Sequence, residues 1–509
     1  MTQTASDAIV VPPMDRYNQQ LIDNLHPPDW KNPTPSDHYN LVVIGAGTAG
    51  LVTAAGAALL GAKVALIEKH LMGGDCTNVG CVPSKAMIRS ARVVADIRRA
   101  EAYGVAASDL SIDFGRVMER LRQIRATISP HDSAKRFQTE FGVDVFFGAA
   151  KFVASDAIEV AGERLKFRKA AIATGSRPAS VPIPGLEEAG YLTNETIFQL
   201  VDRPAKLAVI GAGYIGCELA QTFRRLGSEV VLIYRGGRIL TREDADATAI
   251  VQTSFAQDGI QLRPNSQIDR VDRQGDQKIL HLQSEQIAVD EILLSVGRSP
   301  NIENLGLEAI GVEANSRQGI VINDFLQTTN PRIYGVGDVC MQWKFTHAAH
   351  AAARIAIQNA LFSVAGIGRK RLSALVMPSC TYTDPEVAQV GLQPHEAEAQ
   401  GIAIDTFQID LRRVDRALID GETAGFAKVH VRKGTDRIVG ATIVARHAGD
   451  LITQITLAMT NGLGLRAIAN TIYPYPTQAE VIRNAADAHG MTLLQKLKPI
   501  TSRWMAWQR

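Results

Sequence analysis

Two stretches of the chain share one pattern of apolar and polar positions. Residues 41–69 and 207–235 each begin with an apolar run, pass through closely spaced glycines into residues of helical period, and end in a second apolar run. The two stretches align without a gap. The pattern predicts a strand, a glycine-rich turn, a helix and a second strand in each copy. We therefore expect a duplicated α/β unit whose strands form parallel sheets.

The turns of the two copies have the same glycine spacing, Gly-x-Gly-x-x-Gly. The glycines are Gly45, Gly47 and Gly50 in the first copy and Gly211, Gly213 and Gly216 in the second. Glycines at this spacing let the backbone approach a pyrophosphate that is held at a helix N-terminus. One such motif is a weak signal, but two copies in register, each followed by a second strand, predict two dinucleotide-binding sites.

The two copies differ at the end of their second strands, where nucleotide selectivity resides. The first ends in Glu68, whose carboxylate can accept both ribose hydroxyls of FAD or NAD. The second has Tyr234 at the corresponding position, followed by Arg235 and Arg238. Arginine binds a 2′-phosphate that a carboxylate would repel, so we predict NADPH rather than NADH at this site. The alternative is that both arginines only solvate the surface.

A pair of cysteines follows the first copy of the repeat. Cys76 and Cys81 have a spacing that fits neither a zinc knuckle nor a thioredoxin-type motif. Pro83 suits the first turn of a helix, and the period of residues 86–100 continues that helix. Cys81 would then lie at a helix N-terminus, which favours its thiolate. The pair can cycle between disulfide and dithiol; the alternative is a static disulfide or two buried thiols.

Composition limits the class of protein. With 509 residues, of which 46% are hydrophobic and 21% charged, the chain should form about three globular domains. A formal net charge of +2 argues against nucleic acid as a partner, and five cysteines do not suggest a secreted disulfide framework. Glycines interrupt the uncharged run 41–62, which argues against a membrane span. The cysteine usage favours a reducing cytoplasm. Residues 1–39 are rich in proline and asparagine, lack a signal-peptide pattern and are interpreted as an extended arm.

Further motifs follow in the order of a known family. They are Ala173-Thr174-Gly175, Val296-Gly297-Arg298-Ser299-Pro300-Asn301, Tyr334-Gly335-Val336-Gly337-Asp338 and Thr383-Asp384-Pro385-Glu386. With a dithiol between two dinucleotide motifs, residues 40–490 resemble the flavoprotein disulfide reductases, the class I pyridine nucleotide-disulfide oxidoreductases. That family includes dihydrolipoamide dehydrogenase, glutathione reductase and mercuric reductase. The resemblance implies an α/β fold with two Rossmann-like dinucleotide-binding domains and an α+β C-terminal dimerisation domain.

The resemblance also implies a division of the chain into domains. After the arm of residues 1–39, the FAD-binding domain would comprise residues 40–190 and 301–370, the NAD(P)H-binding domain 191–300, the dimerisation domain 371–490 and a C-terminal tail 491–509.

Roles for single residues follow from the same resemblance. FAD would be bound by the first glycine turn, Glu68, Thr174, Gly175, Gly337 and the ribitol-binding Asp338, and NADPH by the second turn, Arg235, Arg238 and Gly297. Electrons would pass from nicotinamide through flavin to the cysteine pair, with Cys81 against the flavin and Cys76 facing the substrate. Lys85 and Glu218 would form an ion pair that stabilises negative charge on the reduced flavin. The alternative is a salt bridge that only stabilises the fold.

One position near the C-terminus departs from the disulfide reductases. Those enzymes have a His-Pro-Thr-x-x-Glu run here, whose histidine acts across the dimer and is held by the glutamate. This chain has Tyr475-Pro476-Thr477-Gln478-Ala479-Glu480 instead. Histidine titrates near neutral pH and can protonate a leaving thiolate, which tyrosine does poorly. Tyrosine here resembles mercuric reductases and indicates a metal ion, above all Hg(II), bound transiently by Cys76 and Cys81. The alternative is that Tyr475 only packs the interface.

Two features of well-known mercuric reductases are missing. No cysteine follows Cys380 and none precedes Cys76, so the C-terminal cysteine pair and the N-terminal Cys-x-x-Cys domain have no counterpart. Hg(II) would then come from a small thiol or a thiol protein. The other readings are reduction of a small disulfide or a quinone, and a flavin redox sensor with little turnover. A homodimer is expected because Tyr475 would reach Cys76 only across an interface.

The remaining cysteines and two histidines are weaker candidates. Cys217, Cys340 and Cys380 are isolated in the sequence and are expected to be buried or structural, with a redox role for Cys340 as the alternative. His347 and His350 lie three residues apart on a predicted helix. They could bind a metal, but a solvated or flavin-facing helix surface is favoured.

The tail from Leu493 to Arg509 combines basic residues with Trp504 and Trp507. Such a segment can touch a membrane surface. Because Pro499 is expected to break its amphipathic run, packing on the partner subunit is favoured.

Overall fold

The computed structural model of the protein describes residues 9–363 and 366–509. These residues form two compact units. The first comprises the chain up to residue 235 together with 266–375, and the second comprises 236–265 together with 376–509. Within the two described ranges, every helix is too short or too polar to span a bilayer.

Helices and strands are distributed over both units. The α-helices are, in chain order, α1 (Arg16–Leu25), α2 (Thr48–Leu59), α3 (Gly74–Asn78), α4 (Cys81–Arg98), α5 (Phe114–Ile128), α6 (Ala134–Thr139), α7 (Leu186–Ala189), α8 (Tyr214–Arg225), α9 (Ala245–Asp258), α10 (Thr346–Leu361), α11 (Pro394–Ala399), α12 (Asp415–Ile419), α13 (Ala448–Thr460), α14 (Leu465–Ala469) and α15 (Glu480–Trp507). The strands are β1 (Tyr39–Ile44), β2 (Val64–Glu68), β3 (Asp144–Phe147), β4 (Lys151–Ala154), β5 (Ala157–Val160), β6 (Glu163–Ile172), β7 (Ser176–Pro178), β8 (Lys206–Ile210), β9 (Glu229–Ile233), β10 (Gln261–Arg263), β11 (Ile268–Gln274), β12 (Gln277–Leu282), β13 (Gln286–Val289), β14 (Glu291–Leu294), β15 (Arg298–Pro300), β16 (Ala314–Asn315), β17 (Gly319–Ile320), β18 (Ile333–Gly335), β19 (Pro378–Thr381), β20 (Glu386–Gly391), β21 (Ile404–Asp410), β22 (Phe426–Arg432) and β23 (Ile438–Ala445).

The first unit contains a parallel sheet around the first copy of the repeat. Strands β3, β2, β1, β6 and β18 pair in that order and run parallel, while β5 and β4 continue from β6 as antiparallel neighbours. The register places Val43 of β1 between Leu66 of β2 and Ala171 of β6. These side chains are buried, as expected for strands of a parallel sheet with both faces covered. The carboxyl ends of β1 and β2 therefore bring the first glycine turn and Glu68 to the same edge.

A second parallel sheet in the first unit contains the second copy of the repeat. Strands β9, β8 and β14 pair in that order, with Val209 of β8 between Leu232 and Leu293. Helix α8 follows the second glycine turn as α2 follows the first. The strand, turn, helix and strand predicted for each copy are thus confirmed. Strands β11, β12 and β13 form a separate antiparallel sheet in the same unit.

The second unit is built on one antiparallel sheet, in the order β19, β20, β23, β22 and β21. Helices α13 and α15 pack on it, and their apolar side chains, among them Ile455 and Val481, join Val429 and Ile443 of the sheet in one buried core. This arrangement confirms the predicted α+β architecture of the C-terminal part.

The predicted extended arm is wrong for residues 16–25, which form α1. Asp15 caps the helix by accepting two backbone N–H groups through its side chain. Leu21, Ile22 and Leu25 are buried, and α1 packs against α5 and the turn that follows it. Their spacing is that of a helix face, so burial of this face outweighs the extended tendency of the proline-rich residues around it.

The predicted break at Pro499 is also wrong. Helix α15 continues through this residue to Trp507. Proline removes one helical N–H donor, and the exposed position leaves water to satisfy the freed carbonyl group. The two units do not separate the two predicted dinucleotide-binding domains, so the domain boundaries near residues 190, 300 and 370 stay predictions.

Candidate functional site

The predicted dithiol lies where two helices of the first unit meet. Cys76 belongs to α3, and Cys81 is the first residue of α4, which confirms its position at a helix N-terminus. Gly80 turns the chain between them. A Cβ atom there would come within 2.7 Å of the Asp75 carbonyl oxygen, so glycine is required. Both cysteines are free thiols; Cys76 is half-buried and Cys81 is exposed.

The two thiols affect each other's protonation in opposite directions. A hydrogen bond from Cys76 lowers the pKa of Cys81 to about 6, with smaller lowering contributions from Thr346 and Lys85, while burial opposes them. The same hydrogen bond, together with burial, raises the pKa of Cys76. At neutral pH the pair therefore consists of a Cys81 thiolate and a Cys76 thiol. The N-terminal position on α4 favours the same charge on Cys81.

Thr346 is a member of the site that the sequence did not reveal. It begins α10, and its Oγ1 lies 3.2 Å from Cys81 Sγ. A hydroxyl at this distance can donate to the thiolate and stabilise it. Thr346 is 265 residues from Cys81 along the chain, and a single threonine carries no sequence signal for such a role.

Replacing Thr346 by valine should raise the pKa of Cys81, because valine has a similar volume but no hydroxyl. We expect the midpoint of the pH dependence of Cys81 alkylation to move upward by about one pH unit. Since only the thiolate reacts, the variant should be alkylated more slowly near neutral pH. Mass spectrometry after timed iodoacetamide exposure at a series of pH values resolves Cys81 from Cys76. Thr346→Ser, which keeps the hydroxyl, should behave as wild type; equal profiles for valine and serine would remove Thr346 from the site.

Lys85 and Glu218 meet beside the dithiol, as the resemblance implied. Lys85 lies one helical turn after Cys81 on α4, and its Nζ is 2.7 Å from Oε2 of Glu218 on α8. The Glu218 side chain is only 5% exposed and that of Lys85 is 37% exposed. The pair joins the dithiol helix to the helix of the second glycine turn. Its role toward a flavin stays a prediction.

A second charged network connects the dithiol to Asp338. Asp75, the neighbour of Cys76, forms an ion pair with Arg298. Arg298 Nε donates to Ser176 Oγ at 2.7 Å, and that hydroxyl donates to Asp338 Oδ2 at 2.8 Å. Burial raises the pKa of Asp338. The sequence showed Asp75 and Arg298 only as parts of separate motifs, 223 residues apart.

The first glycine turn has the geometry that a bound dinucleotide requires. Gly45 has φ +98°, and a Cβ atom on it would lie 2.5 Å from the Ala173 carbonyl oxygen; one on Gly50 would overlap the carbonyl oxygen of Gly45. Glu68 lies beside this turn, where its Oε2 accepts the Ala46 N–H at 2.7 Å. Burial raises the pKa of Glu68. The close backbone approach and the adjacent carboxylate fit the adenosine and pyrophosphate of FAD.

Three more predicted FAD residues lie close to the carboxyl ends of β6 and β18. Thr174 Oγ1 donates to the Asn301 carbonyl oxygen at 2.6 Å, so its hydroxyl stabilises the chain itself. Gly175 has φ +70° with open space at the position of a Cβ atom, and Gly337 has φ +79°. A Cβ atom on Gly337 would lie 3.0 Å from Cβ of Ala49 on α2. Gly337 thus keeps its backbone close to the first turn, and Gly175 supplies a left-handed backbone conformation.

The second glycine turn repeats the geometry of the first. Gly211 has φ +104°, and a Cβ atom on it would lie 2.5 Å from the Ser295 carbonyl oxygen. A Cβ atom on Gly216 would lie 2.6 Å from Ser295 Oγ, whereas Gly213 and Gly297 face open space. The turn therefore fits a second pyrophosphate in the same way as the first.

The residues that should select the second nucleotide have different surroundings. Tyr234 is buried, and its hydroxyl has no hydrogen-bond partner among the described residues. Arg235 is exposed. Arg238 lies in the second unit, where its Nη2 donates to the Thr241 carbonyl oxygen at 2.9 Å. Arg235, two residues after β9, stays the candidate for a phosphate at the end of that strand.

Tyr475 and Glu480 lie in the second unit. The Tyr475 side chain is 69% exposed, and its hydroxyl donates to Asp415 Oδ2 at 2.9 Å. This hydrogen bond raises the pKa of Tyr475. Glu480 Oε2 accepts the Thr477 N–H at 3.4 Å. The tyrosine is therefore a neutral donor at physiological pH, held by Asp415, which the sequence did not indicate.

The other cysteines and histidines of the described residues do not cluster as metal ligands. Cys217 is buried; burial raises the pKa of Cys340, whose Sγ donates to the Gly337 carbonyl oxygen at 3.4 Å. The His347 ring stacks on Phe345 with centroids 5.2 Å apart. Across residues 9–363 and 366–509, no three His, Cys, Asp or Glu side chains cluster where they could hold a metal ion.

The first unit contains two glycine-rich turns and, between them in the sequence, a thiolate and a thiol. These features together define a nucleotide-dependent dithiol oxidoreductase. The family model for pyridine nucleotide-disulphide oxidoreductase matches residues 39–353, and the model for its dimerisation domain matches residues 377–486. The chain therefore belongs to the pyridine nucleotide-disulphide oxidoreductase family, a flavin-dependent family that uses NAD(P)H. The dimerisation domain supports a homodimer.

Similar proteins differ in their acceptors. The mercuric reductase of Lysinibacillus sphaericus is 35% identical over 454 residues, which cover 88% of this chain and 82% of that protein. The dihydrolipoyl dehydrogenase of Chlamydia muridarum is 34% identical over 456 residues, which cover 89% and 97%. The structure of the Cu(II) complex of the HOCl-induced flavoprotein disulfide reductase RclA from Escherichia coli matches with a TM-score of 0.79 at 26% identity, over 89% of this chain and 100% of that one. Overall similarity does not separate a metal ion from a disulfide as the acceptor.

Proposed function

We propose that this protein is an NADPH-dependent FAD oxidoreductase that reduces Hg(II) to Hg(0) at Cys76 and Cys81. The observation that carries the proposal is the thiol pair itself, in which Cys81 has its pKa lowered to about 6. A thiolate is available at neutral pH, and thiolate ligands select soft metal ions. Once Cys76 loses its proton to the incoming complex, both sulfurs can hold one Hg(II) ion.

The residues around the glycine turns fit the two cofactors. FAD would be held by the first turn, Glu68, Thr174, Gly175, Gly337 and Asp338, and NADPH by the second turn, Gly297, Arg235 and Arg238. When bound, FAD supplies the two-electron chemistry that links the nicotinamide to the dithiol. Lys85 places a positive charge beside the thiolate, and Glu218 orients it. The network from Asp75 through Arg298 to Asp338 holds the neighbour of Cys76 in place.

The acid chemistry of the site favours a metal ion over a disulfide. Reduction of a disulfide expels a thiolate, which leaves faster when a group with a pKa near the working pH protonates it. Tyr475 stands in the sequence position of such a group, but the Asp415 carboxylate raises its pKa further. Reduction of Hg(II) bound by two thiolates requires no such acid, because two electrons convert the ion to Hg(0) directly. We propose that Tyr475 and Glu480 act at the dimer interface, as the position of the corresponding residues in the disulfide reductases implies.

Two of the similar proteins connect this family with metal ions, one as substrate and one as a bound ion. Mercuric reductases are among the similar proteins, and the solved relative RclA is described as a Cu(II) complex. A second candidate is reduction of a small disulfide or a quinone, because a dihydrolipoyl dehydrogenase matches at 34% identity over a similar length. A flavin redox sensor is a third reading, which the complete second glycine turn disfavours. We propose that the protein works in the cytoplasm and receives Hg(II) from a small thiol or a thiol protein.

A panel of acceptors distinguishes these candidates. The FAD-loaded protein is given NADPH and, in separate assays, Hg(II) in excess small thiol, lipoamide, glutathione disulfide or a quinone, and NADPH oxidation is recorded. We expect kcat/KM for Hg(II) to exceed that for the others by at least about tenfold. Faster turnover of a disulfide or quinone would favour the second candidate, and no steady turnover with any acceptor would favour the sensor.

Replacing Arg235 by alanine should weaken NADPH binding selectively. The guanidinium group can form charge-assisted hydrogen bonds to the 2′-phosphate, so its loss should lower kcat/KM for NADPH by about 10- to 100-fold. NADH lacks this phosphate and is the matched control: its kcat/KM should change little. The measurement is steady-state kinetics with both nucleotides. A wild-type preference for NADH, or equal losses with both nucleotides, would contradict the predicted NADPH selectivity.

A further inference from the structure

The distal part of α15 projects from the second unit without covering any core. The buried residues of this helix, Val481, Ile482, Ala485, Ala486 and His489, all lie in its first ten positions. From residue 494 to the end of the helix every residue is exposed. We call residues 490–507 the tail helix. From residue 494 onward this helix buries nothing within the chain, so its apolar side chains are available to another surface.

Five of those apolar side chains form one stripe, whereas Met491, Leu494 and Met505 are exposed elsewhere on the helix. Leu493, Leu497, Ile500, Trp504 and Trp507 follow one another at alternating intervals of four and three residues, which places them on one face. The side chains of Trp504 and Trp507 are 55% and 76% exposed, and their rings contact each other with centroids 5.2 Å apart. Large exposed aromatic groups on a single helix face are typical of helices that lie in a membrane interface.

The charge of the segment identifies the surface that it fits. Lys496 and Arg503 border the stripe on one side, Lys498 lies across the helix from it, Arg509 follows the end of the helix, and no acidic residue follows Asp487. The formal net charge of the whole chain is only +2, so the rest of the chain is slightly acidic and the positive charge is concentrated here. An apolar stripe with tryptophans, bordered by basic residues whose charged ends can reach the headgroups, matches a bilayer that presents anionic lipid.

We propose that the tail helix binds to the surface of a bilayer containing anionic lipid, with its apolar stripe inserted and its basic residues at the headgroups. A second copy of this chain is the other possible occupant of the stripe. The dimerisation-domain match ends at residue 486, before the tail helix begins. Symmetric pairing of two tail helices would also bring two clusters of four positive charges together without a compensating acidic residue. This proposal does not depend on the identity of the electron acceptor.

Flotation of the FAD-loaded, full-length protein with lipid vesicles tests the proposal. Vesicles of phosphatidylcholine alone are compared with vesicles containing about 30% phosphatidylserine. We expect binding to the anionic vesicles only, weakening as salt is added. The double variant Trp504→Ala/Trp507→Ala should lower the partition coefficient by at least about tenfold. The double variant Lys496→Gln/Lys498→Gln should lower it by roughly 30-fold.

A matched control removes the same charge elsewhere. Lys166→Gln/Arg168→Gln changes two exposed basic residues on β6, outside the tail helix, and should leave vesicle binding within about twofold of wild type. Flavin absorbance and circular dichroism confirm that each variant is folded. Equal losses in both basic double variants would mean nonspecific charge attraction and would overturn the proposal. Absence of vesicle binding by the wild type would also overturn the proposal. If, in addition, the tryptophan variant forms a smaller oligomer than the wild type in sedimentation, the stripe would be assigned to a contact between copies of this chain.

Discussion

Replacing Cys81 by serine is expected to lower the rate of acceptor reduction by at least about 1,000-fold while NADPH still reduces the bound flavin within about tenfold of the wild-type rate. Cys81 is the thiolate of the pair, with its pKa lowered to about 6. A serine hydroxyl stays protonated at neutral pH and cannot take part in disulfide and dithiol exchange. Stopped-flow absorbance of the flavin measures the first step, and steady-state NADPH oxidation measures the complete reaction.

Variants of two other cysteines test the same prediction. Cys76→Ala should also stop acceptor reduction, and it should raise the pKa of Cys81, because the largest contribution lowering that pKa is the hydrogen bond from Cys76 and alanine has no donor. Cys380→Ser removes a thiol in the second unit, outside the site, and should retain wild-type turnover. Full acceptor reduction by Cys81→Ser would show that electrons leave the protein without passing through the dithiol.

Replacing Glu218 by glutamine should slow reduction of the flavin by NADPH by about 10- to 100-fold. The carboxylate of Glu218 is almost fully buried and holds Lys85 Nζ at 2.7 Å. A neutral amide leaves the ammonium group without its counter-charge and allows it to move away from the thiolate. Unfolding free energy should fall by about 1–2 kcal/mol, less than for a fully buried pair because Lys85 is partly exposed. Stopped-flow absorbance and chemical denaturation measure the two effects.

A second ion pair of the first unit is the control. Lys278 and Glu291 join β12 and β14, outside the elements that carry the dithiol, and both side chains are largely buried. Glu291→Gln should destabilise the protein to a similar extent and leave flavin reduction unchanged. If Glu218→Gln has the same profile as Glu291→Gln, the Lys85 and Glu218 pair is only a structural salt bridge.

The sequence was most informative where chemistry is encoded locally. The glycine turns could be predicted because close backbone approach at Gly45 and Gly211 excludes a Cβ atom, and that constraint appears directly as residue type. The helix N-terminal position of Cys81 followed from Pro83 and the helical period after it. The pairing of Lys85 with Glu218, 133 residues away, came from family resemblance rather than from spacing.

Contacts between distant parts of the chain were not predictable from local pattern. Thr346 reaches Cys81 only because α10 begins beside the N-terminus of α4, and a lone threonine has no periodicity to reveal this. The ion pair of Asp75 with Arg298 likewise depends on the folded arrangement of two motifs. The helix α1 was missed for a different reason. Its helical spacing of Leu21, Ile22 and Leu25 was present, but the surrounding prolines dominated the interpretation.

Trapping of volatile mercury tests the central proposal most directly. The FAD-loaded protein is incubated with NADPH and Hg(II) in excess small thiol, and the Hg(0) released is counted against the NADPH oxidised, with Cys76→Ala in parallel. Because NADPH donates two electrons and Hg(II) accepts two, the account predicts equal amounts of both in the wild type and no Hg(0) above background in the variant. Reduction of the flavin by NADPH without any release of Hg(0) from the wild type would contradict it.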